Sequence, residues 1–309
     1  MKIKAFTLVE MIISIVILGI LSAGTFVAIK HLYLRVAKSK AMSELSFDSQ
    51  IVVDQISALL YDRVPSSVIG SNDANGNDFN SIYAIDNNFT ILEWIGISSE
   101  ALRAGYYSGF VDLDKSDKDN NIIVSYDINN TELNTTICNK FDIGNYDYNH
   151  LNNNDINATA LMFAGSFDTG NINDINTSFG WHKKSHDLIY NITKIDDTNI
   201  TLATKPNEIY EKYYLVDSAY AIARKKDINF TCRNVDNRDD NNNTLYLFYN
   251  YRPWRNKTFC DGNVTILSKE SKAFEVGIVN DSIYFNLTLE RKIKGSDNNV
   301  TISKQKVVF

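Results

Sequence analysis
With 309 residues, the chain has room for one large domain or two small ones. Its hydrophobic fraction of 44% is that of an ordinary globular protein. A formal charge of −6, from 37 acidic and 31 basic residues, argues against a nucleic-acid-binding surface and so against nucleic acid as a partner.

The first predicted element is the apolar run FTLVEMIISIVILGILSAGTFVAI, residues 6–29, broken only by Glu10 and a few small hydroxyl residues. As a helix it spans about 36 Å, enough to cross a hydrocarbon core of about 30 Å. The basic leader MKIKA, residues 1–5, leaves no room for the apolar core of a secretory signal, and no A-x-A-like cleavage site follows. Residues 6–29 therefore read as an inner-membrane anchor. Lys2 and Lys4 keep the N-terminus cytoplasmic by the positive-inside rule, although His31, Arg35, Lys38 and Lys40 pull the other way. Followed from the leader, the chain passes once through the membrane and its head is periplasmic. A lone carboxylate at mid-bilayer costs about 2.5–3.5 kcal/mol, which marks Glu10 as functional and partnered.

Lys2, Lys4 and Ala5, followed by Phe6-Thr7-Leu8-Val9-Glu10 and a long apolar run, resemble the class III signal of type IV prepilins and pseudopilins. The resemblance implies cleavage by prepilin peptidase between Ala5 and Phe6 and N-methylation of Phe6. It also implies that Glu10, fifth in the mature chain, pairs with the N-terminal amine of a neighbouring subunit and sets its register in a fibre. A buried carboxylate and a buried ammonium are each costly alone and tolerable together. The residue before the cut is usually Gly in the family and is Ala5 here. The implied partners are other pilin or pseudopilin subunits, the prepilin peptidase and an inner-membrane assembly platform.

Residues 30–64 extend the helix. No proline precedes Pro65, and Leu34, Ala37, Ala41, Leu45, Val52, Ile56, Leu59 and Leu60 recur at three- and four-residue steps as one stripe. Pro65 is the expected stop, after a helix of about 90 Å from residue 6 to 64. Many major pilins carry a proline in the membrane half of this helix. Its absence here leans toward a minor pseudopilin.

Beyond Pro65 the pattern turns to short β runs: residues 89–95, 122–128, 188–192, 213–216, 244–251, 282–290 and 300–309. In residues 284–290 the in-facing set is Phe285, Leu287 and Leu289. Residues 71–80, 112–121, 145–157, 168–176 and 236–243 are rich in Asn and Asp and read as surface loops or insertions. Residues 264–269, 274–276, 282–289 and 303–309 look like the terminal strands of J-type minor pseudopilins and W-type minor pilins. The expected fold is α+β and pilin-like, with one head domain over residues 65–309. The long N-terminal transmembrane and amphipathic helix would pack on an antiparallel sheet carrying Asn/Asp-rich insertions. A split near residue 180 is a weaker alternative.

Cys138, Cys232 and Cys260 fall in the exported part, where disulfides persist. The expected pair is Cys232 with Cys260, which leaves Cys138 as a small buried hydrophobe or a site of intermolecular pairing. His182 and His186 stand four apart, but without the Glu of a zinc protease they read as part of a solvated loop. The run from Asp112 to Asn120 and the run from Asp73 to Asp78 offer oxygen ligands that could suit calcium, without the Gly and final Glu of an EF-hand. No cofactor is otherwise expected and no metal ligand is assigned. The chain has no G-x-S-x-G, no phosphate-binding glycine loop and no paired-cysteine knuckle, so no enzyme is expected.

Fourteen Asn-x-Ser/Thr sequons occur, and ten carry Asp or Glu two residues before the Asn: Asn88, Asn129, Asn134, Asn157, Asn176, Asn199, Asn229, Asn242, Asn263 and Asn299. With 37 acids in 309 residues, chance places an acid there in about 1.7 of fourteen. The extended pattern resembles the acceptor of the N-linked glycosylation system of some Gram-negative bacteria, and these ten are the candidate glycan sites. The chain is thus expected to be a minor pilin or pseudopilin in, or at the tip of, a type II secretion pseudopilus, type IV pilus or DNA-uptake pilus. The alternative is a membrane-tethered periplasmic binding module or adhesin that joins no fibre.

Overall fold
The computed structural model describes residues 7–72, 79–83, 88–140, 159–167, 175–228, 232, 235 and 241–309. Its spine is one helix, α1 (Leu8–Tyr61), about 81 Å long for its 54 residues. The helix ends three residues before its expected last residue, Val64, because the chain is captured by a strand. Val64 N–H donates to the Ile95 carbonyl and Ile97 N–H to the Asp62 carbonyl, both at 2.8 Å. Ala41, Leu45, Val52, Ile56 and Leu60 of the expected stripe are buried, with Ser49 and Val53 added, while Leu34, Ala37 and Leu59 are half-buried at its edges.

The C-terminal half of α1 lies on a three-stranded sheet of β11 (Ser271–Val279), β12 (Ser282–Lys292) and β13 (Asn299–Val308), with β12 in the middle. Ile283, Phe285, Leu287 and Leu289 alternate into the core from β12 and are fully buried. Each such side chain contributes about 1.5–3 kcal/mol on burial. The β11–β12 hairpin turns on Asn280 and Asp281, both at positive φ (48° and 59°), the geometry that matches strand twist in a two-residue turn.

The second sheet has ten strands. Its path runs β2 (Phe79–Ser81), β1 (Ile69–Ser71), β3 (Ile91–Ile97), β8 (Tyr213–Arg224), β5 (Ala160–Phe163), β6 (Tyr190–Ile195), β7 (Asn199–Leu202) and β4 (Ile122–Val124). β9 (Leu245–Tyr251) and β10 (Asn263–Ser268) extend it from the far half of β8, and every strand pairing in both sheets is antiparallel among the described residues. The sheet is buried on both faces. Leu92, Trp94, Tyr220 and Ile222 join the cluster under α1, whereas Ile91, Ile95, Ala219, Ala221 and Ala223 join the opposite one. Val276 and Phe89 exchange two backbone hydrogen bonds, at 2.8 and 2.9 Å, and tie the sheets together.

A third cluster, built on Ile123, Tyr190, Ile192, Ile200 and Tyr213, forms under β4–β7 and the short helices α2 (Ser99–Arg103) and α3 (Asn130–Lys140). The last described helix is α4 (Ile175–Ser178). Two readings change here. The expected strand 213–216 runs on to Arg224, because a bulge at Asp217 resembles a turn and the alanines beyond it are weak strand signals. The strands at residues 69–71, 79–81, 160–163 and 199–202 were too short or too deeply set among Asn and Asp to be read.

Candidate functional site
Two halves of α1 meet different surroundings. From Leu8 to Ile29 every side chain is exposed in the isolated chain and nearly all are apolar, the surface of a helix whose solvent is lipid or protein rather than water. The hydroxyls in this half are satisfied within the helix: Ser14, Ser22 and Thr25 donate to the carbonyls of Glu10, Leu18 and Leu21 at 2.5–2.8 Å. Glu10 is handled in the same way. Thr7 is the N-cap, and the Glu10 carboxylate accepts from both the Thr7 N–H and the Thr7 hydroxyl at 2.9 Å, while Glu10 N–H donates back to Thr7 Oγ1 at 3.3 Å. This capping box gives the carboxylate local donors at the positive end of the helix dipole.

The other half is clamped to the head by charge as well as by packing. Arg291 on β12 bonds Glu44 and Asp48 of α1 at 2.8 and 2.9 Å and holds Glu270 at 2.5 and 2.7 Å. Hydrogen bonds and charge from Glu270, then Asp48, raise the Arg291 guanidinium above its already high range, so it stays charged. Lys304 on β13 donates to the Ser46 carbonyl and to Gln50, at 2.9 and 2.8 Å.

A family model described as the prokaryotic N-terminal methylation motif matches residues 1–26. This N-terminal motif is of the prepilin type and supports a type IV pilin or pseudopilin. No curated protein matches the chain, and no solved structure does. The motif implies processing by a prepilin peptidase, assembly with other pilins and anchoring in a membrane, and it points to a structural subunit. A long N-terminal helix packed on an antiparallel head is the architecture expected of a pilin.

Ala5 and Phe6 lie outside the described residues, one step before the Thr7 cap. Cys232 and Cys260 form a disulfide with Cα atoms 4.6 Å apart, in the buried cluster that also holds Trp181, Trp254 and Phe259. Closing a loop of 28 residues constrains the unfolded chain by about 3.5 kcal/mol. A Cys232→Ser/Cys260→Ser variant is accordingly expected to unfold at clearly lower denaturant, and an unchanged midpoint would refute this. The Cys138 side chain lies outside the described set.

The run at Asp112 to Asn120 supplies its own partners. Asp112 accepts from the Tyr126 hydroxyl (2.8 Å) and the Lys115 N–H (3.1 Å). Asp117 accepts from the N–H groups of Asp119 (2.9 Å) and Asn120 (3.1 Å), and Asp119 pairs with Lys205. The Tyr126 hydroxyl holds Asp112, and the Asn120 side chain holds Asp117, below the usual carboxylate range. Among the described residues no three His, Cys, Asp or Glu side chains converge as a metal site. The run at Asp73 to Asp78 lies outside the described residues.

The histidines correct a sequence reading. His186 is half-buried and within 3.1 Å of the Ile189 carbonyl, whereas the His182 ring is buried, 2.8 Å from Glu93 and packed on Phe79 at 4.9 Å. It is no part of a solvated loop. Gly180, at φ 79°, turns the chain against Pro253, where an added Cβ would sit 2.7 Å from backbone atoms, and this docks the His182 segment on the core. Tyr251 completes the group by donating to Glu93 at 2.9 Å. Burial, and then the Glu93 carboxylate, push the Tyr251 hydroxyl well above its ordinary range, so it remains a donor. The signal was present: Glu93 is the one charge in the strand ILEWIGI, and a carboxylate there needs a partner.

Of the ten acid-flanked sequons, Asn157 and Asn229 lie outside the described residues. Asn88, Asn129, Asn176, Asn242, Asn263 and Asn299 are exposed, and Asn134 and Asn199 are half-buried. Asn199, Asn263 and Asn299 each open a strand, and Asn129 caps α3 by accepting from the Glu132 N–H at 3.2 Å.

Proposed function
We propose that this chain is a minor pilin or pseudopilin subunit. Prepilin peptidase cuts it between Ala5 and Phe6, Phe6 is N-methylated, and the mature chain waits in the inner membrane with its head on the periplasmic side. From there an assembly platform draws it into a short fibre or its tip, in a type II secretion pseudopilus, a type IV pilus or a DNA-uptake pilus. The observation that carries this reading is the methylation motif at the head of one unbroken helix whose second half alone is packed on the globular part. Such a helix offers its bare apolar half as fibre core and its head as the working surface. The strands β10–β13 support a J- or W-like position among the minor subunits. Mass spectrometry of the first peptide of the native protein tests it. An N-methylated Phe6 is expected, and an intact Met1 or an unmodified start elsewhere would overturn it.

The head is further proposed to carry N-linked glycans at several acid-flanked sequons. Support comes from the excess of acids two residues before the Asn and from the solvent access of the described members. The intact mass of the native protein should exceed that of the bare mature chain by whole glycan units. A mass equal to the bare chain would dispose of the idea.

A further inference from the structure
The turn between β12 and β13 descends along α1 to the level of Tyr33. Ile293 is buried in the cluster under the helix with Ala41, its N–H donates to Asn298 at 3.1 Å, and an added Cβ at Gly295 would lie 3.9 Å from the Tyr33 ring. Gly295, at φ 80°, shapes the turn, so its height on the helix is built in. Lys292 and Lys294 project from it into solvent.

That height has a meaning in a bilayer. From Leu8 to Ile29 the helix rises about 33 Å, the thickness of the hydrocarbon core, and the headgroup layer beyond it is about 5–8 Å deep. Lys30, Tyr33 and the β12–β13 turn therefore fall in the headgroup layer. Arg35 is at its outer edge, and Lys38 and Lys40 lie within about a Debye length of it. Lys30 and Leu34 share the helix face of Ala37 and Ala41, directly below the turn. Tyr33, exposed beside them, is the residue type that anchors at this depth. Residues 30–43 and 292–297 hold six Lys or Arg against the single acid Asp297, which pairs with Lys292 at 3.5 Å. Glu44 just above pairs with Lys40 at 3.8 Å, so the collar stays net positive although the whole chain carries −6.

We propose that this basic collar, formed by α1 and the β12–β13 turn, docks on anionic phospholipid headgroups and seats the head on the membrane before assembly. The proposal rests on the reading of residues 8–29 as a membrane span. Cations near an anionic leaflet each strengthen binding about fivefold, so the collar holds the head down firmly but releases it when the helix is drawn out.

The full chain is to be reconstituted in phosphatidylcholine vesicles with and without phosphatidylglycerol. A fluorophore is placed at Ser296→Cys in a Cys138→Ser background, and headgroup-borne nitroxides serve as quenchers. Because the span already sets the depth of the turn, some quenching is expected in both lipids. It should be clearly stronger with phosphatidylglycerol, and that difference should be lost with added salt and in a Lys292→Glu/Lys294→Glu variant. Equal quenching in phosphatidylcholine alone, or an unaffected variant, overturns the proposal. Alkaline carbonate extraction of the same vesicles separates the two readings. A chain that washes out loses the span, whereas one that stays embedded with quenching indifferent to phosphatidylglycerol loses only the collar.

Discussion
A Glu10→Ala variant is expected to enter the membrane, fold its head and fail to join a fibre. Removing a charge from the first turn of the membrane helix does not oppose insertion. If Glu10 pairs with a neighbour's amine, the same change leaves that amine buried without its counter-charge in the assembled state, a loss of about 3–5 kcal/mol, or roughly a hundred- to several-thousandfold in subunit incorporation. The capping box complicates the reading, because alanine also removes the acceptor of the Thr7 N–H. Glu10→Gln separates the two roles, since an amide oxygen still caps the helix and carries no charge. Both variants should be missing from sheared or cross-linked fibres while present at normal level in membranes. If Glu10→Gln assembles normally, charge pairing is not what sets register. If both variants keep every function of the protein, the tethered binding module is the better account.

The second large effect is expected in the head. His182→Phe keeps the ring volume against Phe79 but strips the buried Glu93 carboxylate of its 2.8 Å partner, leaving only the Tyr251 hydroxyl. The side chains of Glu93 and His182 are 2% and 5% exposed, so water does not replace the lost bond. A destabilisation of about 3–5 kcal/mol follows, read as a drop in the denaturant midpoint. Adding Glu93→Gln should recover a good part of it, because a neutral amide still accepts from Tyr251 and costs less to bury with one partner missing. The coupling in this double-mutant cycle is expected at about 1–3 kcal/mol. Additive losses would mean that the pair contributes nothing jointly.

The sequence disclosed most where one period repeats without interruption. The stripe from Ala41 to Leu60 and the alternation of Phe285, Leu287 and Leu289 are direct records of one buried face, and both stand in the structure as read. Legibility failed where burial is two-sided or local. β8 is covered on both faces, so its apolar residues do not alternate, and Ala219, Ala221 and Ala223 are small because two layers approach there. α3 is rich in Asn and Thr, and among its described side chains only Leu133 and Ile137 are buried, too few to announce a helix. The Glu93–His182 contact joins positions 89 residues apart, and only packing brings them together.

The unbroken run of α1 from Leu8 to Tyr61 makes the head a rigid pointer on the end of its anchor. Glu44, where Arg291 grips the helix, lies about 51 Å along the axis from Glu10. With no proline between them, nothing absorbs an error made at the bottom. A slip of one residue at the Glu10 contact would shift the head by only about 1.5 Å along the fibre but swing it about 100° in azimuth. If Glu10 sets the register as the motif suggests, the face that the head turns outward is chosen inside the membrane, by one carboxylate, before any two heads have touched.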